Sequence, residues 1–195
     1  MARPREFDEE QALAAALEVF WEKGYEAASV QDLTERMGIQ KASLYNTFGD
    51  KHALFVRALS AYSAETLEWY REQLERPGPL RMTLAAMFRE MNEGCEDDED
   101  CRGCLCVNSA VELAPHDPAI AALLDQHSHA QEALFRRALE RAQTGGEIPA
   151  ELDVIATARY LLNVIAGLGV ARKAGPSQER LNDIVRVSLS ILDRH

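Results

Sequence analysis

Four cysteines lie within twelve residues of this 195-residue chain, and they are the side chains best suited to covalent or metal chemistry. They are Cys95, Cys101, Cys104 and Cys106. The thiolate is the reactive form of cysteine. Cys104 follows Gly103 at a predicted helix start, where unpaired amides and the helix dipole favour negative charge. The acidic run at 96–100 opposes this effect, because neighbouring negative charge raises a thiol pKa.

Three interpretations of the cysteine cluster are open at the level of sequence. In the first, Cys104 is a reactive thiol, and Cys95, Cys101 or Cys106 resolves its oxidised form. In the second, the spacing Cys101-x2-Cys104-x-Cys106 binds a soft metal ion such as zinc or copper(I), although a second pair of ligands is lacking. In the third, Cys104 and Cys106 are small apolar residues of a short helix, and the other two occupy a loop. The five histidines show no convincing ligand spacing, so we predict no metal and no cofactor.

A second group of polar side chains is typical of nucleic-acid binding. The segment 41–47 has the spacing of a short helix, with Leu44 and Phe48 on its inner face. Its outer face carries Lys41, Ser43, Tyr45, Asn46 and Thr47. Lys and Tyr suit phosphate oxygens, whereas Lys, Asn and Gln can hydrogen-bond to purine edges in the major groove.

The elements around this segment must position it. Ser29 and Asp32 form a predicted capping box at the start of an amphipathic helix. Gly38 ends that helix, because glycine takes the left-handed conformation without steric cost. With an amphipathic helix expected at 8–23, these elements predict a helix-turn-helix whose second helix can enter the DNA major groove.

Twelve spaced residues in this part of the chain match a known pattern. They are Phe20, Gly24, Tyr25, Ser29, Val30, Leu33, Gly38, Leu44, Tyr45, Phe48, Lys51 and Leu54. With them, residues 8–60 resemble the TetR/AcrR family of bacterial transcriptional regulators. The resemblance implies phosphate contacts from Tyr45, Lys51 and the helix start at Ser29. It implies base-edge or flanking contacts from the following residues: Gln31, Lys41, Ala42, Ser43 and Asn46.

Gln40 departs from the family pattern. Many relatives place a serine or threonine at this helix start, and glutamine is a weaker cap. Gln40 and Thr47 nevertheless lie at the two ends of the predicted recognition helix, and we include both among the expected DNA contacts.

Charge restricts where DNA can bind. The net charge is −11 at pH 7, so the chain as a whole does not attract polyanions. Residues 1–51 carry six Lys/Arg against ten Asp/Glu, but the stretch 37–48 contains Lys41 and no acidic residue. Because affinity for DNA depends mainly on phosphate neutralisation, we expect locally arranged and strongly salt-dependent binding, with Arg3 and Arg5 forming a basic arm.

The rest of the chain predicts helices and no strands. The expected helices cover 51–75, 80–92, 104–114, 117–143, 151–173 and 177–194. The predicted fold class is all-α, with about nine helices. A three-helix helix-turn-helix module occupies residues 1–50. A larger helical domain for effector binding and dimerisation occupies 51–195, and 51–75 is the connecting helix.

The last two predicted helices are the most apolar pair, and we assign the dimer interface to them. The predicted interface residues are Leu161, Ile165, Leu168, Gly169, Leu181, Ile184, Val185 and Leu189. Gly167 and Gly169 reduce helix propensity, and close approach by a partner helix would compensate. A four-helix bundle across a two-fold axis follows, as the family resemblance also implies. An intramolecular hairpin fits the same pattern.

A pocket for an unknown small-molecule effector is expected among the central helices. Its predicted lining and sensor residues are Cys104, Cys106, Met87, Met91, Asn108, His127, Phe135 and Tyr160. They combine soft apolar surface with a few polar groups, as ligand cavities do. Gly103-Cys104-Leu105 resembles a feature of one TetR subgroup, and this implies sensing of electrophiles or oxidants through the cysteine.

These features predict a ligand- or redox-responsive transcriptional regulator, most simply a repressor, that binds a palindromic double-stranded DNA operator as a homodimer. No acid–base pair, phosphate loop or nucleophile elbow indicates an enzyme. The N-terminus is charged, and no apolar run approaches the roughly eighteen residues of a membrane span, so we expect a cytoplasmic protein without a membrane partner. The alternative is a thiol-based redox or metal-binding protein that uses the cluster Cys95–Cys106 without binding DNA.

Overall fold

The computed structural model describes residues 7–93, 102–175 and 177–193, and this part of the chain contains helices and no strand. The helices are α1 Glu9–Lys23, α2 Val30–Met37, α3 Lys41–Phe48, α4 Lys51–Glu75, α5 Leu80–Glu93, α6 Leu105–Glu112, α7 Pro118–Thr144, α8 Val154–Lys173 and α9 Gln178–Leu189, followed by a 3₁₀ turn Ser190–Leu192. The all-α prediction is confirmed. Cys95, Cys101 and the acidic run 96–100 lie outside the described residues.

Side-chain caps fix where the helices begin. The Asp50 carboxylate accepts the Ala53 N–H at 2.7 Å, and α4 starts directly after it. The Asp117 carboxylate accepts the amides of Ala119 and Ile120, with Pro118 at the first position of α7. Each such cap stabilises a helix by about 1 kcal/mol, because it satisfies amides that have no partner within the helix. Both starts agree with the sequence prediction.

Two hydrophobic clusters form the core. The first joins α1, α2 and α3 to the first half of α4, to α6 and to the start of α7, and its centre includes Phe20 and Phe55 with ring centroids 4.9 Å apart. The second joins the rest of α4 to α5, α7, α8 and α9. α4 and α7 therefore run through both clusters. α6 packs with the N-terminal helices, although about sixty residues separate it from them in sequence.

The predicted dimer-interface residues are mostly core residues of the single chain. Leu161, Ile165, Leu168, Gly169, Leu181 and Leu189 are buried within it, and Val185 packs against the same cluster. Side chains that their own chain covers offer little surface to a second copy, and the assignment of the interface to α8 and α9 stays a prediction. Periodicity identifies the apolar face of a helix, but it does not identify the neighbour that covers the face. Ile184 is exposed and stays a candidate.

The glycines of α8 also differ from their prediction. A Cβ on Gly169 would lie 3.6 Å from the Cys104 Cβ, so the close neighbour is the start of α6 in the same chain. A Cβ on Gly167 would meet nothing within 4 Å. The helix propensity lost at Gly169 was expected to be compensated by close packing of a partner helix. The close neighbour is instead the start of α6 in the same chain.

By composition alone, α8 has the properties of a membrane span. Its most apolar 18-residue window has a mean hydropathy of 1.6, so by length and composition this helix could cross a membrane, contrary to the expectation from sequence. Its inner face packs into the second core cluster. Its outer face includes Arg159, whose guanidinium pairs with Glu132 of α7 at 3.0 Å. These contacts are those of a core helix in a helical bundle.

Candidate DNA interface and effector cavity

The turn between α2 and α3 has the geometry that the sequence predicts. The Ser29 hydroxyl accepts the Asp32 N–H at 3.0 Å, and the Asp32 carboxylate accepts the Ser29 N–H at 2.9 Å. Gly38 has φ 66° and ψ 28°, in the left-handed region that disfavours other residues. α2 and α3 therefore form a helix-turn-helix with a fixed corner.

The outer face of α3 is polar and accessible. Lys41, Ala42, Tyr45 and Asn46 are exposed, Ser43 and Thr47 are half-buried, and Leu44 and Phe48 are buried. Tyr45 is 42% exposed, and the Lys41 Nζ lies 5.9 Å from its ring centroid. Gln40 is exposed and makes no side-chain hydrogen bond to the helix start, in agreement with the prediction of a weaker cap.

Three other predicted DNA contacts interact with neighbouring protein groups. Ser29 belongs to the capping box. The Gln31 amide donates to Glu35 at 2.8 Å. The Lys51 Nζ lies 4.5 Å from the Tyr25 ring centroid. These contacts position the three side chains at the edge of the helix-turn-helix.

Ion pairs neutralise most of the basic side chains in the described part of this module. Lys23 pairs with Asp32, and its hydrogen bond is the main reason that the Asp32 pKa is lowered. The Arg36 guanidinium donates to both oxygens of Glu22, at 3.2 and 3.0 Å. Lys41, by contrast, lies in a stretch without acidic residues. The positive charge available to DNA is therefore at Lys41 on α3 and at Lys51, the first residue of α4.

A cavity of about 620 Å³ lies beside α6, between the two core clusters. Residues from α1, α4, α5, α6, α7 and α8 line it. Among the predicted residues, Cys104, Cys106, Met91 and His127 line this cavity. The volume is within the range of small-molecule sites.

The other four predicted pocket residues lie elsewhere. Met87 and Phe135 are buried in the second core cluster. Tyr160 is on the exposed face of α8. Asn108 is on α6 but faces away from the cavity, where it donates to the Arg102 carbonyl at 3.0 Å and accepts from Lys173. Helical spacing could not distinguish these four residues from the residues that line the cavity, because both groups lie on apolar or mixed helix faces.

Aromatic side chains that the prediction missed form much of the cavity. Trp21, Tyr62, Trp69 and Tyr70 line it, and the Trp21 and Tyr62 ring centroids are 5.0 Å apart. The spacing of 62, 69 and 70 on α4 is a helical stripe that could have indicated this surface. Trp21 belongs to α1 of the DNA-binding module, and only the tertiary fold brings it to the cavity.

Cys104 is the N-cap of α6 and lines the cavity. The Tyr62 hydroxyl donates to the Cys104 Sγ at 3.7 Å. A hydrogen bond from the Cys106 thiol lowers the Cys104 pKa most, burial opposes it, and the Val107 amide and Tyr62 hydroxyl lower it further. The Cys106 pKa is raised, because its proton is held by Cys104 and its side chain is buried. Cys104 is therefore the more acidic thiol of the pair.

His127 is a buried polar residue that lines the same cavity. Its Nδ1 lies 2.6 Å from the Ser63 hydroxyl. Burial lowers the His127 pKa, because the charged imidazolium loses hydration. A neutral imidazole here can hydrogen-bond an uncharged polar group of a ligand.

α6 contacts the DNA-binding module at both of its ends. The Trp21 indole N–H donates to the Gly103 carbonyl at 3.1 Å, and Arg102 pairs with Glu18 and Glu22 of α1. At the other end, the Glu112 carboxylate accepts the amides of Tyr25 and Glu26, at 3.1 and 2.9 Å. Any displacement of α6 by a cavity ligand must therefore act on α1 and on the loop before α2.

A helix-turn-helix module joined to a helical body with an internal cavity defines a class, the one-component transcriptional regulators. Comparison with known proteins identifies the family. Residues 12–58 match the family "Bacterial regulatory proteins, tetR family", and residues 82–188 match "Tetracyclin repressor-like, C-terminal domain". The chain belongs to the TetR family of transcriptional regulators.

Relatives match over nearly the whole chain. The uncharacterized HTH-type transcriptional regulator YezE of Bacillus subtilis is 39% identical over 99% of this chain and 100% of its own length. The HTH-type transcriptional repressor ComR of Escherichia coli is 31% identical over 97% of this chain and 90% of its own length. A solved structure of a CifR cysteine mutant, a TetR family regulator complexed with 26-bp operator DNA, is 36% identical, with a TM-score of 0.84 and coverage of 96% and 98%.

Proposed function

We propose that this regulator is a homodimeric repressor that binds a palindromic operator through α3 and is controlled from the cavity beside α6. The observation that carries the proposal is the exposed, acid-free face of α3 behind a capped α2 and a left-handed Gly38. ComR is described as a repressor, and the CifR mutant was solved with operator DNA. Both relatives share the fold over most of this chain.

An exposed apolar surface on α8 and α9 supports the homodimer. Ile155, Tyr160, Val170, Ile184, Val187 and Ile191 are exposed there. These residues lie on the opposite face of the two helices from the core residues. Apolar surface that extends across two neighbouring helices favours self-association, and a two-fold axis through it would pair the helices of two copies.

A two-fold dimer imposes a spacing on its DNA site. The two copies of α3 must reach half-sites about 34–36 Å apart, one turn of DNA. A cavity ligand that prefers a different position of α6 changes that spacing through the contacts with α1. A difference of about 1–3 kcal/mol between the two states changes operator affinity by about 5–150-fold.

Selection of bound sequences from random duplexes tests the proposal. We expect an inverted repeat with half-sites one DNA turn apart, because each protomer supplies one α3. The measurement is repeated with a Lys41→Ala, Asn46→Ala double variant, whose substitutions lie on the exposed face and leave the core intact.

The matched control is Arg137→Ala, Gln126→Ala, which removes one cation and one amide from exposed positions of α7, outside both the helix-turn-helix and the apolar surface of α8 and α9. We expect the control to select the same repeat as the parent protein, and the α3 variant to lose it. Enrichment of one unrepeated motif, or an unchanged motif in the α3 variant, would contradict the proposed mode of binding.

A further inference from the structure

A smaller cavity lies between α5 and α9, and we call it the α5–α9 cavity. Both helices pack in the second core cluster, whereas the helix-turn-helix packs in the first. The volume is about 220 Å³, below the roughly 300–1,000 Å³ of sites for drug-sized ligands. Its polar lining consists of three arginines and two asparagines, above an apolar floor from both helices: Arg81, Arg89, Arg186, Asn92 and Asn182.

One face of each helix supplies these side chains. Positions 81, 85, 89 and 92 are spaced by three or four residues, so they share a face of α5. Positions 182, 186 and 189 share a face of α9 in the same way. The exposed apolar residues Ile184 and Val187 lie on another face of α9. A dimer formed through that apolar surface therefore leaves the α5–α9 cavity open.

Asn92 is the buried polar residue of this cavity. Its side chain is 1% exposed, and within the described residues neither its Nδ2 nor its Oδ1 has a hydrogen-bond partner. Unpartnered buried polar atoms destabilise a folded chain, and nearly all such atoms in native proteins are satisfied. Asn92 therefore indicates a ligand group that accepts a hydrogen bond from Nδ2 and donates one to Oδ1.

The arginines indicate the charge of the ligand. Arg89 is exposed, and in the described part of the chain no carboxylate pairs with it. Arg81 pairs with Asp193 at 2.7 Å. Arg186 pairs with Asp183 of its own helix at 2.8 Å. Exposed ion pairs of this kind contribute little free energy, so an anionic ligand can compete for both guanidinium groups.

We propose that the α5–α9 cavity binds hydrogen phosphate, an inorganic anion that keeps a proton at neutral pH. Its oxygens accept hydrogen bonds from the arginines and from the Asn92 Nδ2, while its P–OH group donates to the Asn92 Oδ1. Sulfate is similar in size and charge but has no proton to donate. A phosphate diester has none either. The site is independent of the proposed function, because neither operator nor effector takes part in it.

Isothermal titration calorimetry of the full-length protein in phosphate-free Tris chloride tests the ligand class. The probes are inorganic phosphate, sulfate, methyl phosphate and dimethyl phosphate. At about pH 7.5 methyl phosphate has largely lost its second proton, since the second pKa of a monoester is about 6. We expect one inorganic phosphate per protomer and at least about tenfold weaker binding of the other three probes, because the buried Oδ1 then lacks a donor.

Three outcomes would overturn the proposal. The first is no detectable binding at millimolar inorganic phosphate. The second is sulfate or dimethyl phosphate binding as tightly as phosphate, which would indicate a site for anions in general. The third is methyl phosphate binding as tightly or more tightly, which would assign the site to the phosphate monoester of a larger molecule.

Arg89→Ala tests the location of the site, and Arg137→Ala is its matched control. Arg137 is equally exposed, but it lies on α7 and does not line the cavity. We expect Arg89→Ala to weaken phosphate binding by about tenfold or more, because a charge-assisted hydrogen bond is lost. Arg137→Ala should bind phosphate as the parent protein does. Equal affinities of the two variants would place the anion elsewhere and contradict the proposal.

Asn92→Leu separates a ligand-binding role of the amide from a structural one. Without phosphate we expect a higher unfolding temperature than in the parent protein, because two unpartnered polar atoms are removed. Phosphate should raise the unfolding temperature of the parent protein and leave that of the variant unchanged. A lower unfolding temperature of the variant in phosphate-free buffer would show that the amide stabilises the fold itself, and the assignment would fail. Should Asn92→Leu not fold, the assignment fails for the same reason, and Arg89→Ala still decides where phosphate binds.

Discussion

At Cys104 the sulfur accepts a hydrogen bond from a phenol, and the Cys106 thiol and the Val107 amide also lower its pKa, while the surrounding protein removes most of its water. Burial alone raises a thiol pKa, so the three donors must outweigh it for the thiolate to form. Among these donors, the Tyr62 hydroxyl can be removed with the least change in shape. The ring of Tyr62 stays against Trp21 when only the oxygen is lost.

Tyr62→Phe is therefore expected to raise the Cys104 pKa and to slow its reaction at neutral pH. In the parent protein, alkylation of Cys104 by iodoacetamide should show a pH midpoint below the roughly 8.5 of a free cysteine, since the rate follows the thiolate fraction. The rate then stays high at pH 7 and falls as the pH drops through the folded-state pKa. The readout is mass spectrometry of the tryptic peptide 103–136 at a series of pH values.

Tyr70→Phe is the matched control for this profile. Tyr70 lines the same cavity, and the described hydrogen bonds to the Cys104 sulfur do not include its hydroxyl. We expect its pH midpoint to stay close to that of the parent protein. An equal shift in both variants would show that cavity polarity, rather than the Tyr62 hydrogen bond, sets the Cys104 pKa.

On α3, neighbouring residues are expected to affect DNA binding in different ways. Tyr45→Phe removes a hydroxyl that suits a phosphate oxygen, so affinity should fall by about 0.5–1.5 kcal/mol for all sequences alike. Asn46→Ala removes an amide that suits an adenine edge, so the loss of about 1–3 kcal/mol should be confined to one base pair of each half-site. Titration of a set of single-base operator variants measures both effects. A base-specific loss in Tyr45→Phe would reverse the assignment.

The sequence pattern correctly predicted the roles of the capping and turn residues in the helix-turn-helix. It predicted the residues that line the cavity only in part. Ser29, Asp32 and Gly38 act within their own turn, so nearby sequence contains the reason for their conformation. A cavity is a space left between helices, and its lining depends on how far each helix is rotated. Met87 and Met91 illustrate this: both lie on one face of α5, yet only Met91 reaches the cavity.

At the scale of helices, α6 is the element whose role the sequence could not indicate. The short helix predicted at 104–114 is present, and the observed helix is Leu105–Glu112. Its contacts with Trp21 and Tyr25 join residues 82 and 87 positions apart. No local periodicity contains that information, because periodicity reports on the face of a helix and not on its partner.

Glu112→Gln tests whether α6 holds the DNA-binding module. The Glu112 carboxylate accepts two amides, from Tyr25 and Glu26, and charge-assisted hydrogen bonds are stronger than neutral ones. The amide of glutamine presents one acceptor oxygen in place of two. We therefore expect hydrogen exchange in residues 24–28 to accelerate by about tenfold, which corresponds to about 1.4 kcal/mol.

Glu140→Gln on the exposed face of α7 is the control, since among the described residues the Glu140 carboxylate pairs within its own helix, with Arg136. Its exchange pattern in residues 24–28 should equal that of the parent protein. Unchanged exchange in Glu112→Gln would show that the loop before α2 is held by other contacts. The pairing of Arg102 with α1 would then be the connection to examine.

At the scale of the whole molecule, the surface without acidic residues and the exposed apolar surface lie on different helices. The chain carries a net charge of −11, yet the stretch 37–48 has no acidic residue. DNA is therefore repelled by most of the surface and attracted at α3. The exposed apolar residues belong to α8 and α9, which pack in the second core cluster, whereas α3 packs in the first. A dimer formed through α8 and α9 therefore leaves both copies of α3 accessible.

Val187→Glu on α9 is expected to dissociate this dimer. Val187 is 57% exposed, so the substitution costs the isolated protomer little. In the proposed interface it places a carboxylate on each side of a two-fold axis, where desolvation and mutual repulsion both oppose association. A loss of about 3 kcal/mol or more would raise the dimer dissociation constant by over a hundredfold. Sedimentation velocity over a concentration series measures the shift.

The same substitution at Val111 of α6 provides the comparison. Val111 is 77% exposed and lines a groove with Val170 of α8, so it lies beside the exposed apolar surface but on α6 rather than on α9. Because both variants replace valine by glutamate on an exposed helix, any general effect of added charge is common to them. If Val111→Glu dissociates and Val187→Glu stays dimeric, the dimer interface lies on α6 and not on α9.

Dissociation of Val187→Glu alone should also weaken binding to the full operator much more than binding to a single half-site. The reason is that only the dimer contacts both half-sites at once.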